Sequence, residues 1–166
     1  MKNSTPCGTS LLSDLVFRLS IIADTNISQV GSNRVLEING RAFEFEGDTE
    51  NEDVFFVKCH VCSLPKEKKE KLALLQAALE FNFEFYDGWS PVLVLVEDKN
   101  EVVSLTSFSF AQVTPEKLFT KMQCYSEALE LMSCQLEKKV SVIVAAGKNP
   151  EGSSSLLQAR LLGGLS

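Results

Sequence analysis

Residues 34–47 read RVLEINGRAFEFEG. Asn39-Gly40 is a strong two-residue hairpin signal, because a type I′ turn needs positive φ at both central positions. With those two as the turn, Leu36 faces Phe43 across the ladder and Ile38 faces Arg41. Leu36, Ile38, Phe43 and Phe45 then share one face, and Glu37, Glu44 and Glu46 share the other. One apolar and one acidic face predict an antiparallel sheet covered on a single side.

Upstream, Leu11, Leu12, Leu15, Val16, Leu19 and Ile22 recur at helical spacing, with Thr9 or Ser10 placed to cap the helix. Phe17 and Ile21 fall on the far side of that cylinder, a second and smaller apolar spot. Residues 1–9 read as a loose lead-in. Downstream, the acidic loop GDTENED (47–53) leads to VFFVKCHVC (54–62), a third strand. Its alternation sends Phe55, Val57, Cys59 and Val61 one way and Phe56, Lys58, His60 and Cys62 the other.

KCHVC (58–62) brings three metal-ligating side chains together, and His60 is the sole histidine. On a strand, however, adjacent Cys59 and His60 project to opposite faces, and so do Cys59 and Cys62. Zinc needs four convergent ligands, and Cys7, Cys124 and Cys134 are scattered. No metal site is expected. The reading as small buried hydrophobes is preferred over a Cys-x-x-Cys redox pair, which stays open because Pro65 and a helix follow Cys62.

Pro65 is placed to begin that helix, KEKKEKLALLQAALEFNFEF (66–85). Leu72, Leu75, Leu79 and Phe83 form one apolar face; Leu74, Ala77, Ala78 and Phe81 form a nearly opposite one. Gln76, Glu80 and Glu84 hold a narrow polar strip. A helix apolar on two sides is buried on two sides, one by its own core and the other by a partner subunit. SPVLVLVEDKNEVVSLTSF (90–108) is a second hairpin whose first strand, Val92–Val96, does not alternate and should be covered on both faces. Thr114-Pro115-Glu116 is a cap, a first-turn proline and a first-turn acid in sequence. The helix it opens carries Leu118, Met122, Tyr125, Leu129, Met132 and Leu136 as one stripe. After Lys139 the character changes, and KNPEGSSS (148–155) has linker composition. The expected division is 1–139 as an α+β domain and 140–166 as an extension, mobile from about Gly147.

With 166 residues, 45% of them hydrophobic, the chain suits one packed domain. Sixteen basic against 22 acidic residues leave a net charge of -6, which argues against a nucleic-acid binder. The apolar stretch near the N-terminus is broken by Asp14 and Arg18, so it does not read as a signal peptide, and no eighteen-residue apolar run spans a membrane. Five cysteines without secretory context read as free thiols in a reducing cytosol. There is no phosphate loop and no Gly-x-Ser-x-Gly elbow. No cofactor and no catalysis are expected.

The order helix, three strands, helix, two strands, helix, with SLP (63–65), LLQAALEFN (74–82) and VLVLVEDKNEVVSL (92–105), resembles the class I chaperones of bacterial type III secretion, the Tir-chaperone family. The resemblance covers roughly residues 10–137. It implies a cytoplasmic α+β homodimer, with a twisted antiparallel sheet packed by helices. That dimer would hold the N-terminal segment of a secreted effector in extended form, soluble and ready for export, and would contact the export apparatus. It would place the dimer interface on Leu74, Ala77, Ala78 and Phe81 with Val92, Val94 and Val96. It would place effector binding along a strand edge at Arg34–Ile38, including Val35, Leu36 and Ile38, and at apolar pockets near Phe17, Ile21, Phe43 and Phe45, with plain core an equal reading of the two sheet phenylalanines. A non-secretory protein-binding adaptor of similar fold and a thiol enzyme using Cys59 or Cys62 are the competing readings.

Overall fold

A computed structural model describes residues 8–84 and 91–146. The elements are α1 (Gly8–Ala23), β1 (Ser28–Val30), β2 (Asn33–Ile38), β3 (Arg41–Gly47), β4 (Val54–Ser63), α2 (Lys68–Glu84), β5 (Val92–Val96), β6 (Glu101–Ser109) and α3 (Pro115–Ala146). The strands form one antiparallel sheet in the order β1-β2-β3-β4-β6-β5. This is the expected α+β order with one addition, the three-residue β1, whose residues are all exposed.

The β2–β3 hairpin has the expected register, Leu36 opposite Phe43 and Ile38 opposite Arg41. Its turn has φ 52° at Asn39 and 72° at Gly40, the left-handed pair that a type I′ turn demands. Pairing then carries the pattern across the sheet. Leu36, Phe43, Cys59, Ser104 and Leu93 stand in one row, and all five are buried. The adjacent row is Val35, Glu44, Lys58, Leu105 and Val92, and none of these is fully buried. The three helices therefore lie on the first row's face and leave the second face open. Helix α3 sits between α1 and α2, α1 covers β2 and β3, and α2 reaches β5.

The expected stripe of α3 is the core: Leu118, Met122, Tyr125, Leu129, Met132 and Leu136 are all buried. Tyr125 packs on Phe43 with ring centroids 5.8 Å apart and accepts a hydrogen bond from Thr106 Oγ1 at 3.1 Å. At the start of α3, Thr114 caps the first turn: its carbonyl accepts from Leu118 N at 2.9 Å and its Oγ1 from Lys117 N at 3.4 Å. Lys139 joins α3 to α2 through Glu84 and Glu80, at 2.9 and 3.6 Å.

Four expectations are corrected. Helix α1 already runs from Gly8, so Thr9 and Ser10 lie inside it rather than at its cap. Helix α2 starts at Lys68, three residues beyond Pro65. Helix α3 does not stop near Lys139 but continues to Ala146, so the division at residue 139 falls within one helix; Val140 and Ile143 pack against the core and extend its stripe. Finally, β4 has a bulge between His60 and Cys62. The extra residue reverses the alternation, so Cys62, opposite Val102, shares the helix face with Cys59 rather than opposing it. The tail from Gly147 and the lead-in through Cys7 lie outside the described residues.

Candidate functional site

The surroundings of the two β4 thiols favour their protonated form. Cys59 is buried, and its pKa is raised by that burial, against the opposing pull of the Arg41 charge and hydrogen bond. The Cys62 thiol is also raised, first by burial and then by the Glu137 carboxylate. A nucleophilic cysteine needs the opposite, a thiolate stabilised at neutral pH. His60 lies on the open face, its Nε2 3.8 Å from a Glu101 carboxylate oxygen. Among the described residues no three His, Cys, Asp or Glu side chains gather closely enough to hold a metal ion.

Apolar surface is the more informative feature. On α1, Leu12, Leu15, Val16 and Leu19 are buried, while Phe17 and Ile21 are 57% and 65% exposed. Ile21 also borders a hollow of about 380 Å3 formed with Ser20, Asp24, Thr25 and Asn26. The same segment leads directly into β1, the edge of the sheet. Two apolar side chains thus stand on the helix that precedes the edge strand of the sheet among the described residues.

That edge differs from the expected one. β2 is paired on its outer side by β1 along Asn33–Val35, so Arg34–Ile38 is only partly free. Around the Asn39-Gly40 turn, Ile38, Leu36 and Arg34 exchange their backbone bonds with β3, and the alternate residues point outward. Glu37 is the outward-facing residue of β2 beyond the reach of β1. By the same alternation Gln29 points outward from β1, which closes on β2 through a turn at Gly31, φ 60°. Among the described residues neither Gln29 nor Glu37 has a ladder partner on that side.

Phe43 and Phe45, which the family resemblance set near a guest pocket with plain core as the equal alternative, are buried to 0% exposure, as is Leu36, with Ile38 at 3%. They are core residues of the protomer, covered by α1 and α3, and offer no surface. Val35 is half-buried on the open face.

The two faces of α2 also resolve. Leu74, Ala77, Ala78 and Phe81, the face expected to meet a partner, are buried in the protomer's own core. The other face is open: Leu72, Leu79 and Phe83 are 57%, 70% and 89% exposed. Periodicity shows that both faces are apolar but not which one the sheet takes. Nearby, Val92, Val94 and Leu105 lie on the open face of the sheet, with Val92 exposed and the other two half-buried; Val96 is half-buried. Asn82, on the last turn of α2, donates Nδ2 to Leu93 O at 2.9 Å and accepts from Leu93 N through Oδ1 at 2.8 Å. That residue carried no sequence expectation; its one signal was a lone amide between Phe81 and Phe83, outside the polar strip of the helix.

A groove of about 790 Å3 runs where β6 continues past its neighbour, lined by Phe56, Val92, Leu105, Phe108, Met122 and Tyr125 among others. No helix among the described residues is long and apolar enough to cross a membrane.

No family model matches the chain. No curated protein matches it either. Solved structures do. A chain of the HopA1–SchA chaperone–effector complex aligns at 14% identity over 74% of this chain and 92% of its own, with a TM-score of 0.52. A chain of the ExsC–ExsE complex aligns at 12% identity over 77% and 92%, also with a TM-score of 0.52. The type III secretion chaperone SycH of Yersinia pestis, in complex with a fragment of YscM2, aligns at 12% over 74% and 97%, with a TM-score of 0.48. The first two establish a shared fold across about three quarters of the chain.

Proposed function

We propose that this chain is a cytoplasmic chaperone of type III secretion, which holds the N-terminal segment of a secreted effector in extended form on the surface of a homodimer. The shared fold supports the general class. The observation that carries the finer reading is local: Phe17 and Ile21 stand exposed on α1 just before a partly unpaired sheet edge. An edge strand offers backbone bonds that accept many sequences, and apolar spots beside it select side chains at intervals. Binding of this kind needs no nucleotide and no cofactor, and leaves the guest unfolded.

The dimer is the second part of the proposal. Leu72, Leu79 and Phe83 of α2 and Val92, Val94 and Val96 of β5 are the surface it would use, while Leu74, Ala77, Ala78 and Phe81 anchor α2 to its own sheet. The hydrogen bonds of Asn82 to Leu93 hold the end of α2 against the β5 edge, with the exposed side of the helix on one side of that edge and the three valines on the other. The net charge of -6 would favour basic guest segments or a basic surface of the export apparatus.

The test is affinity capture from the native bacterium with wild-type bait and with Phe17→Ala/Ile21→Ala bait, read by mass spectrometry. Wild-type bait is expected to retain proteins that the organism secretes. The double variant should stay folded and dimeric and lose about tenfold or more in guest affinity, since each exposed ring or branched side chain contributes about 1.5–3 kcal/mol when covered. Equal capture by both baits would remove this site.

A further inference from the structure

The sheet has two edges, and the structure treats them differently. In an antiparallel ladder the N–H and C=O of one residue point the same way, and successive residues point to opposite neighbours. On β5 the backbone of Leu93 meets Asn82 rather than β6, so Pro91, Leu93 and Leu95 present their backbone outward while Val92, Val94 and Val96 bond to β6. Pro91 has no N–H to give. Both polar groups of Leu93 are taken by one side-chain amide. Among the described residues Leu95 alone of the three keeps both its N–H and its C=O without a ladder partner, and Pro91 keeps only its carbonyl.

We infer that Asn82 is a strand mimic that closes the β5 edge, and so determines which edge of the sheet receives a guest. The amide reproduces the donor and acceptor that an incoming strand would bring, at 2.8 and 2.9 Å, and α2 holds it there by burying Phe81 on the preceding position. A strand needs a run of alternate bonds to pair, and among the described residues this edge supplies one full donor–acceptor pair, at Leu95, and a lone carbonyl at Pro91. The β1–β2 edge has no such plug: Gln29 and Glu37 point outward without a ladder partner among the described residues. Two consequences follow. Two copies that meet through α2 and β5 do so by side-chain packing, not by joining their sheets. A guest strand adds at β1–β2 only. The second consequence rests on the guest-binding reading; the first does not.

The experiment uses the chain alone, so its failure is separate from any failure to find a guest. Asn82→Ala frees the polar groups of Leu93 and reopens the edge. Its weight-average mass by sedimentation is expected to rise with concentration beyond that of wild type, and hydrogen exchange should show the Leu95 amide gaining protection as it does. An unchanged mass at every concentration would overturn the inference, and so would association that leaves the Leu95 amide exchanging as before. Wild type gives an independent reading should the variant not fold: the Leu93 amide should exchange slowly and the Leu95 amide fast at all concentrations. A Leu95 amide that becomes as slow as that of Leu93 on raising the concentration would contradict a closed edge.

Discussion

Replacing Leu79 and Phe83 together by aspartate is expected to turn a dimer into a monomer of unchanged fold. Both side chains stand clear of the protomer, at 70% and 89% exposure, so the substitution removes nothing from the core. A large apolar side chain that becomes fully covered contributes about 1.5–3 kcal/mol, and about 1.4 kcal/mol is tenfold in an equilibrium constant. Two such losses, with two charges to desolvate, weaken association by about two orders of magnitude or more. Light scattering over a range of concentrations reads the mass, and circular dichroism the fold. Phe81→Asp makes the contrast. It places a charge where the protomer itself leaves only 6% exposure, so unfolding, not clean dissociation, is the expected result. A dimer that survives the Leu79/Phe83 change would place the interface elsewhere.

The second large effect is on stability. Phe45 is wholly buried and sits opposite Val57 in the centre of the sheet. Phe45→Ala is expected to cost about 3–5 kcal/mol, the lost transfer of the ring plus the cavity it leaves. That is a large share of the about 5–15 kcal/mol that holds a typical domain folded. The denaturation midpoint in urea should fall steeply. A change within about 0.5 kcal/mol, the range of surface sites, would mean that Phe45 faces a guest pocket, the role that the family resemblance implied.

The hairpin was legible because its determinants are local. Asn39 and Gly40 tolerate positive φ, and that alone sets Leu36 against Phe43. The stripe of α3 was legible for a similar reason, since Thr114 and Pro115 mark its start and a single face repeats. Its continuation to Ala146 was also written in the chain: Leu136, Val140 and Ile143 keep the spacing, but their β-branched neighbours read as a separate apolar run. The bulge in β4 left no mark, because no glycine or proline stands between His60 and Cys62. β1 was missed because Ser28-Gln29-Val30 is too short and too polar to alternate. On α2 the sequence showed two apolar faces of similar strength, and only the tertiary packing decides between them.

The candidate site divides in the same way. The exposure of Phe17 and Ile21 was legible because they lie off the core stripe of their helix, a local signal. Phe43 and Phe45 stayed open between core and guest pocket because the extent of cover over a sheet depends on where α1 and α3 land. Asn82 was invisible because its partner, Leu93, lies on another element and is a backbone group that no side-chain pattern marks.

Amide hydrogen exchange on the chain bound to a captured guest tests the central claim most directly. An extended guest that adds a strand should slow the Gln29 and Glu37 amides, leave the Leu95 amide unchanged, and itself stay unprotected outside the bound segment. Gln29 and Glu37 amides that exchange as fast in the complex as in the free chain, or a guest protected throughout as a folded domain, would contradict it.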